Sequence, residues 1–166
     1  MPQLATPSRA LFFPAALMAA ILVGATAIAC GSDSTTTPTP PTFVATMTGA
    51  GENPPKAVAG TGTATIVKTA AGYTYTITYS GVSGNLTGGH IHGPANSTTN
   101  AAVIVPFANA TGAAGSGTLT GTFTSTNTPT ISNDSLDVLM ANGNAYVNLH
   151  TAANPGGEIR GQLSKQ

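Results

Sequence analysis

Gly72-Tyr73-Thr74-Tyr75-Thr76-Ile77-Thr78-Tyr79-Ser80 alternates strictly between two kinds of side chain. In an extended strand successive side chains point to opposite faces, so Tyr73, Tyr75, Ile77 and Tyr79 share one side and Thr74, Thr76, Thr78 and Ser80 the other. The first set can be buried while the hydroxyl set meets water, which is the pattern of a half-buried antiparallel strand. Just upstream, Thr63-Ala-Thr-Ile-Val-Lys68 reads as its hairpin partner, with Ala70-Ala71-Gly72 as the turn.

From Phe43 onward the same signature recurs between clusters of Gly, Pro and Asn. Strands are predicted near 43–50, 60–69, 72–81, 86–92, 101–107, 115–124, 144–150 and 157–163. Between them, Asn133 to Gly143 is the one stretch with helical spacing. Leu136, Leu139 and Met140 are its core contacts, Ser132, Asn133 or Asp134 its cap, and Gly143 its end. Thr, Val, Ile and Tyr fit a pleated surface better than a helical turn. The predicted class is all-β, an antiparallel Greek-key-like sandwich of immunoglobulin-like or superoxide-dismutase-like type, with one short helix.

The 166 residues carry only 6% charged side chains and no formal net charge. Neither a basic stripe that could track phosphates nor an acidic tail is present, so nucleic acid is not an expected partner. One cysteine, Cys30, excludes an intramolecular disulfide, and the domain must hold together by sheet packing.

Residues 10–29 form an uncharged, mostly apolar run behind Arg9, and small residues precede Cys30. That order is the pattern of a signal peptide covering 1–29. Ala27-Ile28-Ala29-Cys30 resembles a bacterial lipobox, with Ala27 where Leu is usual. The resemblance implies an acylated Cys30 as the new N-terminus of a chain of 137 residues. Residues 31–42 hold Ser, Thr and Pro with no large apolar side chain to bury, and so read as a disordered linker. Fully extended it spans up to about 35–40 Å. The expected address is exported, lipid-anchored to the cell envelope, at the outer membrane or cell surface. The membrane is then one partner, reached through the lipid, and an envelope or extracellular protein is the other candidate partner.

Two segments carry a family resemblance: Gly89-His90-Ile91-His92-Gly93-Pro94-Ala95, and Ala145-Tyr146-Val147-Asn148-Leu149-His150-Thr151 running on to Asn154-Pro155-Gly156-Gly157-Glu158-Ile159-Arg160-Gly161-Gln162-Leu163. They resemble the HIHGPA and YVNxHT…PxGEIRGQL signatures of the CHRD (chordin) domain family, over about residues 43–163. The CHRD-like domain is accordingly expected over 43–166. The resemblance implies a β-sandwich and little chemistry. Growth-factor binding in chordin is credited mainly to other, cysteine-rich modules and is not carried onto this chain.

All three histidines of the chain lie in those two segments. On strands, His90 and His92 share a side opposite Ile91, and His150 shares a side with Tyr146 and Asn148 opposite Ala145, Val147 and Leu149. If the two strands are neighbours, three neutral imidazoles can surround a Cu or Zn ion and leave one position open. The bland alternative is that the rings bond strand-end backbone and Thr hydroxyls. The His-x-His pair with a later strand histidine also resembles the copper half of Cu/Zn superoxide dismutase. However, the bridging histidine, the zinc ligands and the disulfide of that enzyme have no counterpart here.

Glu158 and Arg160 stand at i and i+2, and are expected on one face with Gln162 as a structural ion pair or carbonyl clamp. A Ser/His/Asp order with an elbow, a cysteine nucleophile and a phosphate loop are all missing, so no catalytic residue is assigned and an enzyme is not expected. The leading expectation is a membrane-tethered envelope module of structural or protein-binding type without a cofactor. The alternative is a Cu- or Zn-binding envelope protein using His90, His92 and His150.

Overall fold

The computed structural model describes residues 38–124 and 131–166. The leader, Cys30 and the linker through Thr37 lie outside the described residues.

The strands are β1 (Thr42–Thr48), β2 (Thr61–Thr69), β3 (Gly72–Ser80), β4 (Leu86–His92), β5 (Val103–Pro106), β6 (Gly117–Phe123), β7 (Tyr146–Thr151), β8 (Ile159–Gln162) and the short β9 (Ser164–Lys165), and the helix α1 is Asn133–Ala141. Every pairing is antiparallel, and one sheet runs in the order β5-β4-β7-β8-β1-β2-β3-β6, with β9 added beside β1. The fold is all-β with one short helix. The eight expected strands occur with ends shifted by up to two residues, and β9 is an addition the alternation did not foretell.

β3 behaves as its sequence predicts. Tyr73, Tyr75, Ile77 and Tyr79 are buried and the intervening Thr and Ser side chains exposed. The hairpin closes on Ala70-Ala71, with Thr69 opposite Gly72. Gly72 has φ +135, a backbone conformation that side chains resist.

The sheet bends over on itself. β1, β2, β3 and β6 form one half, β5, β4, β7 and β8 the other, and the halves join at β8–β1 through the single pair Thr48 and Arg160. The chain crosses between halves after β3, β5 and β6 in Greek-key manner. The far edges nearly close: the Tyr75 ring lies 4.6 Å from that of Phe107, Tyr75 donates to Asn109 at 2.8 Å, and Asn109 Nδ2 donates to the Thr120 carbonyl at 2.9 Å. The enclosed core takes Met47, Ile66, Ile77, Ile91, Val147, Leu149 and Ile159 from both halves. Each such side chain contributes on the order of 2 kcal/mol by leaving water.

Helix α1 packs Leu136 and Met140 inward and is capped by Ser132, whose hydroxyl accepts from the Ser135 N–H. Gly143 follows at φ +70. Asp137 fastens the helix to the sheet by pairing with Lys68 and accepting from Tyr73 Oη at 2.7 Å.

Candidate metal centre

β4 and β7 are neighbours, and their register places His90 opposite Asn148, His92 opposite Tyr146, and Gly88 opposite His150. β8 continues the same face, with Arg160 opposite Asn148 and Gln162 opposite Tyr146. One face of this half-sheet is the apolar core. The other is a polar patch of three histidines, Tyr146, Asn148, Arg160 and Gln162.

This polar face is covered. Residues 93–101 lie over it, pinned by Arg160, which donates from Nη2 to the carbonyls of Asn96 and Thr99 at 2.7 and 3.0 Å and from Nη1 to Asn100 Oδ1 at 2.9 Å. The Arg160 guanidinium also lies 3.5 Å from the centre of the Tyr146 ring. Residues 49–58 cover the neighbouring stretch, where the Glu52 carboxylate accepts from Asn148 Nδ2 at 2.9 and 3.1 Å. Asn53 and Asn100 tie the two coverings together, each donating to a backbone carbonyl of the other segment at 2.8 Å. Tyr146, Asn148, Arg160 and His92, on a strand face that alternation alone would assign to water, are thereby buried, while His90 and His150 stay partly exposed.

The three rings meet. His90 Nδ1 and His150 Nε2 are 3.1 Å apart, and one ligand nitrogen from each of the three rings lies within 4.8 Å of the others. Carbonyl oxygens only accept, so His92 Nδ1 carries the proton it shares with the Ala101 carbonyl at 2.9 Å, and His150 Nδ1 the one it shares with the Pro155 carbonyl at 3.0 Å. In their neutral forms both rings therefore present a bare Nε2. His92 Nε2 is buried and has no hydrogen-bond partner.

His92 also stacks on Tyr146, ring centres 4.9 Å apart and planes 2° from parallel. Gly88 makes room for His90, since a Cβ at that position would stand 3.0 Å from the ring's Cε1.

Burial holds all three histidines neutral. It pushes the His90 pKa down to about 4, helped by the neighbouring His150 and His92. Burial also lowers His92 and His150 and outweighs their carbonyl bonds, which act the other way. Arg160 adds to the lowering at His92 and Lys56 at His150.

These features fit a metal ion by donor chemistry. Ligating histidines characteristically give their second N–H to a carbonyl or carboxylate, which fixes ring and tautomer. Two nitrogens on a tetrahedral zinc stand about 3.3 Å apart, given bonds of about 2.0–2.1 Å. The His90–His150 separation is close to that value.

Glu158 and Arg160 do not pair with each other. Glu158 is buried, and its carboxylate accepts from the Ser83 N–H and hydroxyl, both at 2.6 Å, from the Thr151 hydroxyl, and from Asn154 Nδ2 at 3.0 Å. Burial alone would raise its pKa, but these donors overcome that and hold it below the usual value. Arg160 is a clamp on backbone carbonyls. Both residues organise the loops around the site.

Glu52 and Lys56 were not among the residues singled out from sequence, and Asn148 was noted only as a neighbour on the face of His150. Glu52 is one of few acidic residues in a charge-poor chain, which was the only available signal. Its pKa is raised by burial, against the lowering from Asn148, Arg160 and Lys56.

The CHRD domain family model matches residues 43–163. No curated protein and no solved structure matches the chain.

Proposed function

Because the chain belongs to the CHRD domain family, a membership that brings no reaction with it, we propose its function from the site: an envelope module that binds a Cu or Zn ion through His90, His92 and His150. The observation that carries this reading is the buried, unpartnered Nε2 of His92, with its Nδ1 committed to the Ala101 carbonyl. An acceptor left bare in a buried position costs about 1–3 kcal/mol, and a metal ion would remove that cost. Imidazole nitrogen suits zinc and copper, and neutral rings need give up no proton to bind.

The bound ion would be supported by residues already in place. Ala101 and Pro155 orient His92 and His150, Tyr146 backs the His92 ring, and Arg160 holds the 93–101 covering that contributes Ala101. Cys30, acylated, would tether the module to the outer membrane or cell surface, and residues 31–42 would give it reach.

The protein-binding reading has less to support it. Residues 49–58 and 93–101, the loops a partner would meet, are bonded to each other and to the sheet. Among the described residues only Val103 and Val138 are exposed large hydrophobics, and scattered single ones are ordinary.

The test is elemental analysis and calorimetry of the full-length protein in mild detergent with Cu(II) and Zn(II), beside a variant carrying His90→Gln, His92→Gln and His150→Gln. One equivalent bound by the protein and lost in a folded triple variant is expected. Equal binding by both, or none by either, would overturn the assignment.

A further inference from the structure

The three ligands are all neutral, so a dication held by them keeps its full charge in a partly buried site. The charges that reach the rings are themselves positive: Arg160 at His92, and Lys56 at His150. Of the two nearby carboxylates, Glu158 is taken up by Ser83, Thr151 and Asn154, and Glu52, which faces Arg160 and Lys56, bonds Asn148; neither bonds a histidine. His92 is buried, whereas His90 and His150 are partly exposed, so the cluster opens to solvent on their side.

The two cations differ in what they can offer. Arg160 spends its fork on Asn96, Thr99, Asn100 and Gln162. Lys56, also partly exposed, gives one N–H to Asn154 Oδ1 at 3.1 Å. Asn154 immediately precedes Pro155, whose carbonyl holds His150. An ammonium has three donors, so Lys56 keeps donors to offer at the open rim.

We propose that the metal-loaded site takes a small monoanion of the carboxylate or bicarbonate class as a fourth ligand, with Lys56 as the rim residue that attracts and steadies it. This rests on the metal-binding reading above. Three neutral donors leave a coordination position open and the ion's charge uncompensated, and one monoanion fills the position and halves the charge. The polar rim supplies the sign of the field, and partial burial keeps solvent from screening it fully.

The experiment uses the full-length protein in detergent loaded with Co(II), whose visible spectrum reports coordination, titrated with azide and then with bicarbonate. A saturable spectral change is expected with each. Lys56→Met should weaken anion affinity about two- to fivefold, in keeping with a partly exposed charge pair, and Lys56→Arg should restore most of it.

A cobalt spectrum that neither anion alters would overturn the proposal while leaving metal binding intact. Anion binding unchanged in a folded Lys56→Met would overturn the role of Lys56. Failure to take up Co(II) at all would instead overturn the metal-binding reading on which the proposal rests.

Discussion

His90 Nδ1 and His150 Nε2 lie 3.1 Å apart across adjacent strands, close enough to share one proton, whereas protonating both rings would set two N–H groups against each other. The consequence is a pH dependence of the metal-free protein. The folded pKa of His90 is about 4 against an ordinary 6.5, and those of His92 and His150 are lowered in the same direction. The unfolded chain therefore takes up protons first as pH falls, so the contribution is intact above about 6.5 and is lost on the way down toward about 4. Glu52, raised by burial, works the opposite way. Allowing for partial exposure, the expected loss is on the order of 1–2 kcal/mol. Thermal melts in chelator at pH 7, 6, 5 and 4 should show it, with a shallower slope in His90→Gln plus His150→Gln. Parallel slopes would contradict the assignment.

Arg160→Lys should loosen the covering of the site without touching a histidine. The fork makes bonds to Asn96, Thr99, Asn100 and Gln162 that a single ammonium cannot reproduce, and sits over the Tyr146 ring. The expected cost is about 2–4 kcal/mol. Hydrogen exchange should rise in residues 93–101, whose Ala101 carbonyl sets the His92 tautomer. Exchange rising evenly over the whole domain, with no excess in this segment, would argue against a local clamp.

How much of this is legible in sequence depends on the range of the interaction. The alternation in β3 and the positions of Leu136 and Met140 in α1 are local patterns, and the structure follows them. That His90 and His92 share a side is equally local. That β7 lies beside β4 is a pairing across about sixty residues, and it is this pairing that brings His150 to His90. Local patterning does not encode such a register. The burial of Glu158 and Arg160 is further from reach still. The face of Arg160 would meet water on an uncovered sheet and is buried because loops from two distant segments fold over it, while Glu158 is enclosed separately by Ser83, Thr151 and Asn154. Glu52 arrives with one of those loops, so it has no strand pattern to announce it.

Glu158→Gln keeps the shape of a buried side chain and removes its charge. The carboxylate accepts from Ser83 twice, from Thr151 and from Asn154, and it joins the β3–β4 connection to the turn after β7. An amide has one oxygen and would set its own N–H groups against some of these donors. The expected loss is about 2–4 kcal/mol. Because the native carboxyl has a lowered pKa, its share of the stability is present above the ordinary value of 4.5 and disappears as pH falls below it. The deficit of the variant in urea unfolding should accordingly narrow between pH 5 and 3, and a deficit independent of pH would contradict the charge as its source.

Gly161 and Gly156 make a paired test of the seam between the two half-sheets. Gly161 faces Val147 in β7, and a Cβ on it would collide with the backbone carbonyl of Thr46 in β1, an atom that cannot rotate away. Gly156 is exposed, has nothing within 4 Å of such a Cβ, and is not among the glycines with positive φ. Gly161→Ala should therefore force β8 and β1 apart and cost more than about 3 kcal/mol, a large share of the stability of a domain this size. Gly156→Ala should stay within about 0.5 kcal/mol of the unaltered chain. Urea midpoints of the two variants decide the point. Comparable losses would mean that the close approach of β8 to β1 does not limit the sheet, and a loss at Gly161 alone ties the joining of the halves to the strand that carries Arg160.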